Sequence, residues 1–335
     1  MKYIALPDER GVRRLSFYLA MEEYVARHVD ERDSFFMWQV EPSVIFGRNQ
    51  LIENEVNLDF CRQRGIMTYR RKSGGGCVYA DMKNIMFSYI TGEEKVGFTF
   101  NRYINMVALV LARLGVDART SGRNDILIGD RKVSGNAFYR LPGRSIVHGT
   151  MLYDTDMENM VGSITPTGEK LLSKGVESVR QRIALLKDYV DIDIEEFKRF
   201  VRENLCDGVM TLTKDDVMAI ETLEKEYLSP EFIYGNNPRY TVVRRRRIEG
   251  VGEIEARVEL KNGVIKGLNL VGDYFLTGDL DGDVVSRLRN VPLTREAVMA
   301  ALPERMEDVI MNLSRDQLAS LLLGGEDGEV EGSAS

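Results

Sequence analysis

The sequence predicts an α+β fold: a mixed or largely antiparallel sheet flanked by helices, followed by a small α+β domain. Three observations carry this. Short apolar runs of strand length outnumber helical stretches through the first two-thirds of the chain. The stretch "SPEFIYGNNPRY", residues 229–240, breaks the pattern with Pro, Gly and Asn. The length, 335 residues, suits two domains at about 150 residues each.

The elements follow in order. Residues Arg13 to Val29 read as a helix, with Leu15, Tyr18, Leu19, Val25, Ala26 and Val29 on one face. Glu22 falls on that face too. It is either a carboxylate at the edge of the apolar stripe, paired with a nearby cation, or a buried acid that orients a site residue. Strand candidates come next: "SFFMWQV", "SVIFG", "IMTYR", "CVYA" and "NIMFSYI". Phe100, Tyr103, Ile104, Val107, Ala108, Leu111 and Leu114 keep helical spacing, and Gly115 ends that helix. "DILIGDRKVSGNAFYR" reads as two strands joined at a Gly-Asp turn, and "SIVHGTMLYD" as a third. Thr155 to Val190 reads as a long irregular segment, of the kind kept for function or mobility. Helices are expected near Asp193–Leu205 and Thr213–Leu228.

The domain boundary falls near Tyr240. Beyond it, "EIEARVELKNGVIKGLNLVGDYF" is a hairpin with Asn-Gly at its turn. Charged helical segments follow near Asp281–Arg289 and Thr294–Leu302. The organisation expected is residues 1–240 as a catalytic domain, 241–325 as an accessory domain, and 326–335 as a disordered acidic tail.

Composition narrows the function. The net charge of −7 opposes nucleic-acid binding driven by phosphate contacts. No apolar run reaches the ~18 residues of a membrane span, and the N-terminus carries no secretory h-region. Three dispersed cysteines fit a reducing, cytoplasmic setting better than a disulfide framework. Two histidines and no CxxC argue against a built-in zinc site.

The chemistry-bearing stretch is "RRKSGGGCVYAD", Arg70 to Asp81. Glycines cost conformational entropy, so three in a row need a reason. Bare main chain permits close ligand approach, and successive N–H groups can converge on an anion. Arg70, Arg71 and Lys72 add charge, and Arg grips phosphate with two parallel bonds. The alternative is a plain turn with solvated cations. The stretch is neither a P-loop nor a dinucleotide fingerprint. In "SGRNDILIGDRKVSGNAF", Asn124 and Asp125 offer paired oxygens for Mg²⁺. Lys132 offers charge for an attacked phosphorus, although alone it reads as a solvated hairpin lysine. In "HGTML", His148 alone reads as a satisfied core histidine, and Gly149 beside it would admit a ligand.

Taken together, "RRKSGGGCVYAD", "SGRNDILI", "GDRKVSGNAF", "HGTMLYD" and "KGVESVRQRI" occur in an order and spacing similar to those of lipoate–protein ligases. "LAMEEYV" and "VIFGRNQ" resemble that family as well. The likeness covers about residues 10 to 230 strongly and the C-terminal domain weakly. It implies a catalytic domain like those of biotin ligases and class II aminoacyl-tRNA synthetases.

It also implies a two-step reaction. The lipoate carboxylate attacks the α-phosphorus of ATP, giving lipoyl-AMP and pyrophosphate. A carrier lysine then attacks the mixed anhydride. By family motif, Arg71 contacts phosphate, and Gly76, Cys77, Val78 and Tyr79 supply main-chain contacts. Lys132 bridges carboxylate and α-phosphate as the catalytic cation. Ser73, Gly74, Gly75, His148 and Gly149 line the lipoate side. Lys174, Ser178 and Arg180 close over the adenylate and exclude water. Asn124 and Asp125 are the candidates for holding Mg²⁺ or the ribose–phosphate end. The implied partners are lipoyl carrier domains of 2-oxoacid dehydrogenase complexes or the glycine cleavage H protein, with the enzyme a monomer, and with no nucleic acid and no membrane.

Two other readings stay open. A nucleophilic Cys77 would make the chain an ATP-independent octanoyl or lipoyl transferase working through a thioester, although such relatives place their cysteine elsewhere. The Arg244–Arg247 run in "VVRRRRIEG" would suit a non-catalytic ligand sensor or nucleic-acid-binding regulator, although alternate arginines of a strand point to opposite faces.

Overall fold

A computed structural model describes residues 1–7, 11–92, 95–121, 124–164, 172–234 and 242–324. The chain divides into two compact units. Unit 1 is Met1–Phe46, Ile52–Arg71 and Cys77–Ile233. Unit 2 is Gly47–Leu51, Lys72–Gly76 and Tyr234–Ser335. The boundary expected near Tyr240 and the tail 326–335 lie outside the described residues.

The strands of unit 1 are β1 (Lys2–Ala5), β2 (Asp33–Trp38), β3 (Ser43–Phe46), β4 (Met67–Arg70), β5 (Val78–Ala80), β6 (Ile85–Thr91), β7 (Ala118–Thr120), β8 (Asp125–Ile128), β9 (Arg131–Leu141), β10 (Arg144–Met151) and β11 (Gly208–Thr211). Among the described residues, eight form one mixed sheet in the order β11-β1-β2-β6-β10-β9-β8-β7. β1 pairs in parallel with β11 and β2, and the remaining pairs are antiparallel. β3 is the centre of a smaller sheet, parallel to β4 and antiparallel to β5. The mixed, helix-flanked α+β architecture agrees with the pattern read from the sequence.

The helix Leu15–His28 buries its apolar stripe against the large sheet, and the helix Lys214–Tyr227 packs beside it. Val96–Arg113 covers another part of the sheet, and Gly115 follows it with φ +82°. The irregular stretch expected over Thr155–Val190 is overturned where it is described. Met157–Ile164 and Leu172–Arg182 are helices. Gly162 reads as a helix breaker, yet a Cβ there would stand 2.3 Å from the Phe60 ring. It is small so that the helix Leu58–Arg64 can pack close. β1, β7 and β11 were not read from the sequence, because each is three or four residues long and carries little periodicity.

Unit 2 holds an antiparallel meander of β12 (Val242–Ile248), β13 (Gly252–Lys261) and β14 (Val264–Gly272). The Asn262-Gly263 turn takes φ +54° and +74°, as a two-residue hairpin demands. Ile254, Val258, Ile265 and Leu270 meet Leu318 and Leu322 in its core. The arginine strip alternates as a strand must. Arg244 donates to Leu322 O and Arg246 to Ser320 Oγ, both on the helix Arg315–Leu323, while Arg245 and Arg247 are exposed. Arg244 thus serves that helix's C-terminus, where cations are favoured. Among the described residues no helix is long and apolar enough to cross a membrane.

Candidate active site

Glu22 comes from the helix Leu15–His28 and is fully buried. A buried carboxylate is tolerated when its oxygens are bonded. Ser88 Oγ donates to Glu22 Oε1 at 2.5 Å, and His148 Nδ1 lies 2.9 Å from Oε2. Trp38 Nε1 donates in turn to Ser88 Oγ at 2.8 Å. Of the two readings of Glu22, the structure supports the buried acid: it fixes the ring of His148.

Strand register shows what shares that face. Phe36, Ser88, His148 and Ala137 stand opposite one another across β2, β6, β10 and β9. Two residues along, and so on the same face, a second row reads Trp38, Met86, Thr150, Gly135 and Asp125. β9 carries a bulge here: Ile126 pairs with Ser134, but Leu127 pairs with Lys132. One extra residue reverses the facing of what precedes it. Lys132, three residues from Gly135, is therefore brought to Gly135's side. Its side chain lies over that glycine, where a Cβ would stand 2.6 Å from both Cε and Nζ. Lys132 Nζ is 2.9 Å from Asp125 Oδ1. Lys132, Asp125 and His148 thus belong to one face of one sheet.

Gly149 is turned the other way. Its cross-strand partner is Asn136, and a Cβ on Gly149 would stand 1.9 Å from Asn136 Oδ1 and 3.1 Å from Tyr103 Oη. Gly149 is small to admit that amide. Asn136 Nδ2 donates to Asn124 O at 2.9 Å and Asn124 Nδ2 returns a bond to Asn136 O at 3.1 Å. This clasp holds the start of β8 against β9. Asn136 and Gly135 were not singled out in the sequence. The small-residue stretch "VSGNA" was the available signal, but the bulge decides which glycine bares which face.

The arginine pair beside the glycines is more buried than expected. Arg70 Nε donates to Ile233 O at 2.9 Å, and its guanidinium lies 4.6 Å from the Phe46 ring centroid. Arg71 Nη1 donates to Ile45 O at 3.1 Å. Burial pulls the Arg71 guanidinium down to about 10, so it stays charged at neutral pH. Val78 pairs with Ile45 on β5, and Tyr79 is buried, with its phenol pushed up by burial. Burial also pushes the Cys77 thiol well above its ordinary range, which disfavours a thiolate nucleophile. Ser73, Gly74, Gly75 and Gly76 belong to unit 2, where Ser73 is fully buried.

On the helix Leu172–Arg182, Arg180 and Ser178 are exposed, and Arg182 Nη2 is 3.1 Å from Ser178 Oγ. The side chain of Lys174 lies outside the described residues. Ala184 N donates to Lys132 O at 2.8 Å, so this helix leads onto the strand that bears Lys132. A cleft of about 900 Å³ in unit 1 is lined by Arg131, Asp154, Arg180, Ile183 and Lys187, among others, but not by Lys132. On the Lys132 face the half-buried Lys132 and Asp125 are paired, and Glu22, Ser88 and His148 are buried and bonded to one another.

Residues 15–206 match the lipoyl protein ligase A/B catalytic domain. The chain belongs to the lipoate–protein ligase family. Residues 237–322 match the bacterial lipoate protein ligase C-terminus. Lipoate-protein ligase LplJ of Bacillus subtilis is 31% identical over 332 residues, covering 94% of this chain and 98% of its own. A bipartite lipoate protein ligase of Thermoplasma acidophilum, solved in a study of it and its E2 lipoyl domain, superposes with TM-score 0.62 at 28% identity. That match covers 72% of this chain and 98% of the other. A lipoate-protein ligase A bound with ATP gives TM-score 0.61 at 26% identity, covering 70% and 98%. The lipoate–protein ligase described here is therefore an enzyme whose fold and family agree, with the Lys132 face inside the catalytic-domain match.

Proposed function

We propose that this ligase activates free lipoate with ATP and transfers the acyl group to a carrier lysine, with Lys132 as the cation at the reacting junction. A carboxylate is a poor electrophile towards an amine, so adenylation supplies the leaving group. In the first step a lipoate oxygen bonds to the α-phosphorus as the bond to pyrophosphate breaks. In the second the carrier amine bonds to the acyl carbon, AMP departs, and the amine's proton leaves to solvent. Two anions meet in the first step, so a preorganised cation lowers the barrier. The observation that carries the reading is the Lys132 ammonium, steered by the bulge over Gly135 and held by Asp125.

The other assignments rest on the family motifs. Arg71 serves phosphate, and Gly76, Cys77, Val78 and Tyr79 serve the nucleotide through main chain. Ser73, Gly74, Gly75 and His148 serve lipoate, whereas Gly149, also expected there, turns its bare side to the Asn136 amide on the other face of the sheet. Lys174, Ser178 and Arg180 cover the adenylate. Glu22 supports His148 by fixing its ring. Magnesium enters as the counter-ion of ATP. Asn124 donates its amide to β9 and Asp125 is paired with Lys132. No group of three or more ligating side chains stands ready among the described residues. These two residues do not make a resident metal site.

Lipoyl carrier domains of 2-oxoacid dehydrogenase complexes or the glycine cleavage H protein are the acceptors. The Thermoplasma ligase, studied with its E2 lipoyl domain, supports that class of partner. The test is pyrophosphate release from ATP with a panel of free acids and no carrier, followed by amide formation on a lipoyl domain. Release that does not depend on lipoate would end this reading.

A further inference from the structure

Two of the three consecutive glycines have a structural reason inside unit 2. A Cβ on Gly74 would stand 2.3 Å from Tyr274 O and 3.2 Å from Phe275 Cα. Both are main-chain atoms and cannot swing aside. Gly75 takes φ +83°, and its N–H donates to the same Tyr274 O at 3.1 Å. That amide is therefore engaged, whatever its neighbours do for a ligand. Ser73 O accepts from Arg48 N at 2.8 Å, and Asn49 O accepts from Gly272 N at 2.8 Å.

The turn that presents Tyr274 O is itself tightly determined. At Gly272, φ is +150° and a Cβ would stand 2.0 Å from Glu253 O. Asp273 Oδ1 accepts from Glu253 N at 2.5 Å, and Asp273 N donates to Glu253 O at 3.2 Å. Tyr274 is fully buried, with its hydroxyl donating to Leu270 O at 2.6 Å. Phe275 O accepts from Met311 N at 3.0 Å. The turn is rooted in the core of the meander, and the glycine loop conforms to it.

We infer that the turn Gly272–Tyr274 is a template that sets the conformation of the Ser73–Gly76 loop, making Tyr274 a positioning residue for ligand binding by that loop. The ligand-binding half of this rests on the proposed function. The physical basis is preorganisation: a loop held in one conformation before binding loses less entropy when it binds.

The test uses the full chain carrying Gly74→Ala, read by hydrogen exchange and by adenylation kinetics. Amides of residues 73–76 should exchange about 10-fold faster as the loop leaves its template. KM for lipoate or ATP should rise about 10-fold with kcat within about 3-fold, the signature of lost binding rather than lost chemistry. Asp273→Ala adds no atom to the loop and loosens the turn from beneath; it should shift both readouts the same way by less, and it serves if Gly74→Ala does not fold. Unchanged exchange in Gly74→Ala would overturn the template. Faster exchange with unmoved KM in both variants would overturn its role in binding. If the wild type releases no pyrophosphate with lipoate, the proposed function fails, and exchange alone decides the template.

Discussion

Lys132 Nζ stands 2.9 Å from Asp125 Oδ1, and both lie beside the bare main chain of Gly135. The lysine reaches that place because of one extra residue in β9. Gly135→Ala should therefore displace the ammonium without disturbing the strand, since the atoms met are the far end of a flexible side chain. Adenylation should fall about 10²-fold from misplacement alone. Unfolding free energy should stay within about 0.5 kcal/mol of wild type. Full activity in this variant would show that Lys132 need not lie there.

Glu22, on the helix Leu15–His28, holds Ser88 and His148 of the central strands β6 and β10. Glu22→Ala should take from Ser88 Oγ and His148 Nδ1 their bonds to the buried carboxylate, at about 1–3 kcal/mol for each. Glu22→Gln keeps a carbonyl oxygen to accept one bond and should lose clearly less. The urea midpoints of the two variants check this. Equal midpoints would mean that the carboxylate's bonds carry little of the stability.

The helices Leu15–His28 and Lys214–Tyr227 are joined by Tyr24 Oη, which donates to Asp216 Oδ1 at 2.5 Å. That bond, with the bond from the Thr213 main chain, holds the Asp216 carboxyl below its ordinary range. It also pushes the Tyr24 phenol up to about 12. A depressed carboxyl stabilises the fold above its unfolded pKa, near 3.9, and loses that contribution as pH falls through the lower folded value. Tyr24→Phe should lower Tm at neutral pH, and the difference should narrow in acid below that point. A difference that is constant with pH would remove Asp216 from the account.

Cys77 has a thiol raised by burial. Cys77→Ser should keep ATP-dependent transfer within about 3-fold of wild type, because the mechanism asks for no thiolate. Transfer lost in that variant, but retained from an acyl-carrier donor in the wild type without ATP, would point to the thioester route.

Much of the fold was legible because its longer elements carry strong periodicity. The strands from β2 to β6 and the pair β8–β9 were readable as apolar runs between turns. The Asn262-Gly263 turn was readable because few residues tolerate its backbone angles. The helices Met157–Ile164 and Leu172–Arg182 were not: Gly162 reads as a breaker until Phe60 is placed against it. The site was legible as motifs but not as geometry. "GDRKVSGNAF" contains Lys132, Gly135 and Asn136, yet a period of two puts Lys132 on the wrong face until the bulge is counted. The triple glycine read as an anion nest. Gly74 and Gly75 also meet the carbonyl of Tyr274, some 200 residues away along the chain, and no local pattern encodes that.

The most direct measurement is pyrophosphate release from ATP and free lipoate, without carrier, by the wild type and by Lys132→Ala. The wild type should release it only when lipoate is present. Lys132→Ala should fold normally and release it at least ~10²-fold more slowly, as expected for a lost transition-state cation. Equal rates from the two proteins would contradict the account.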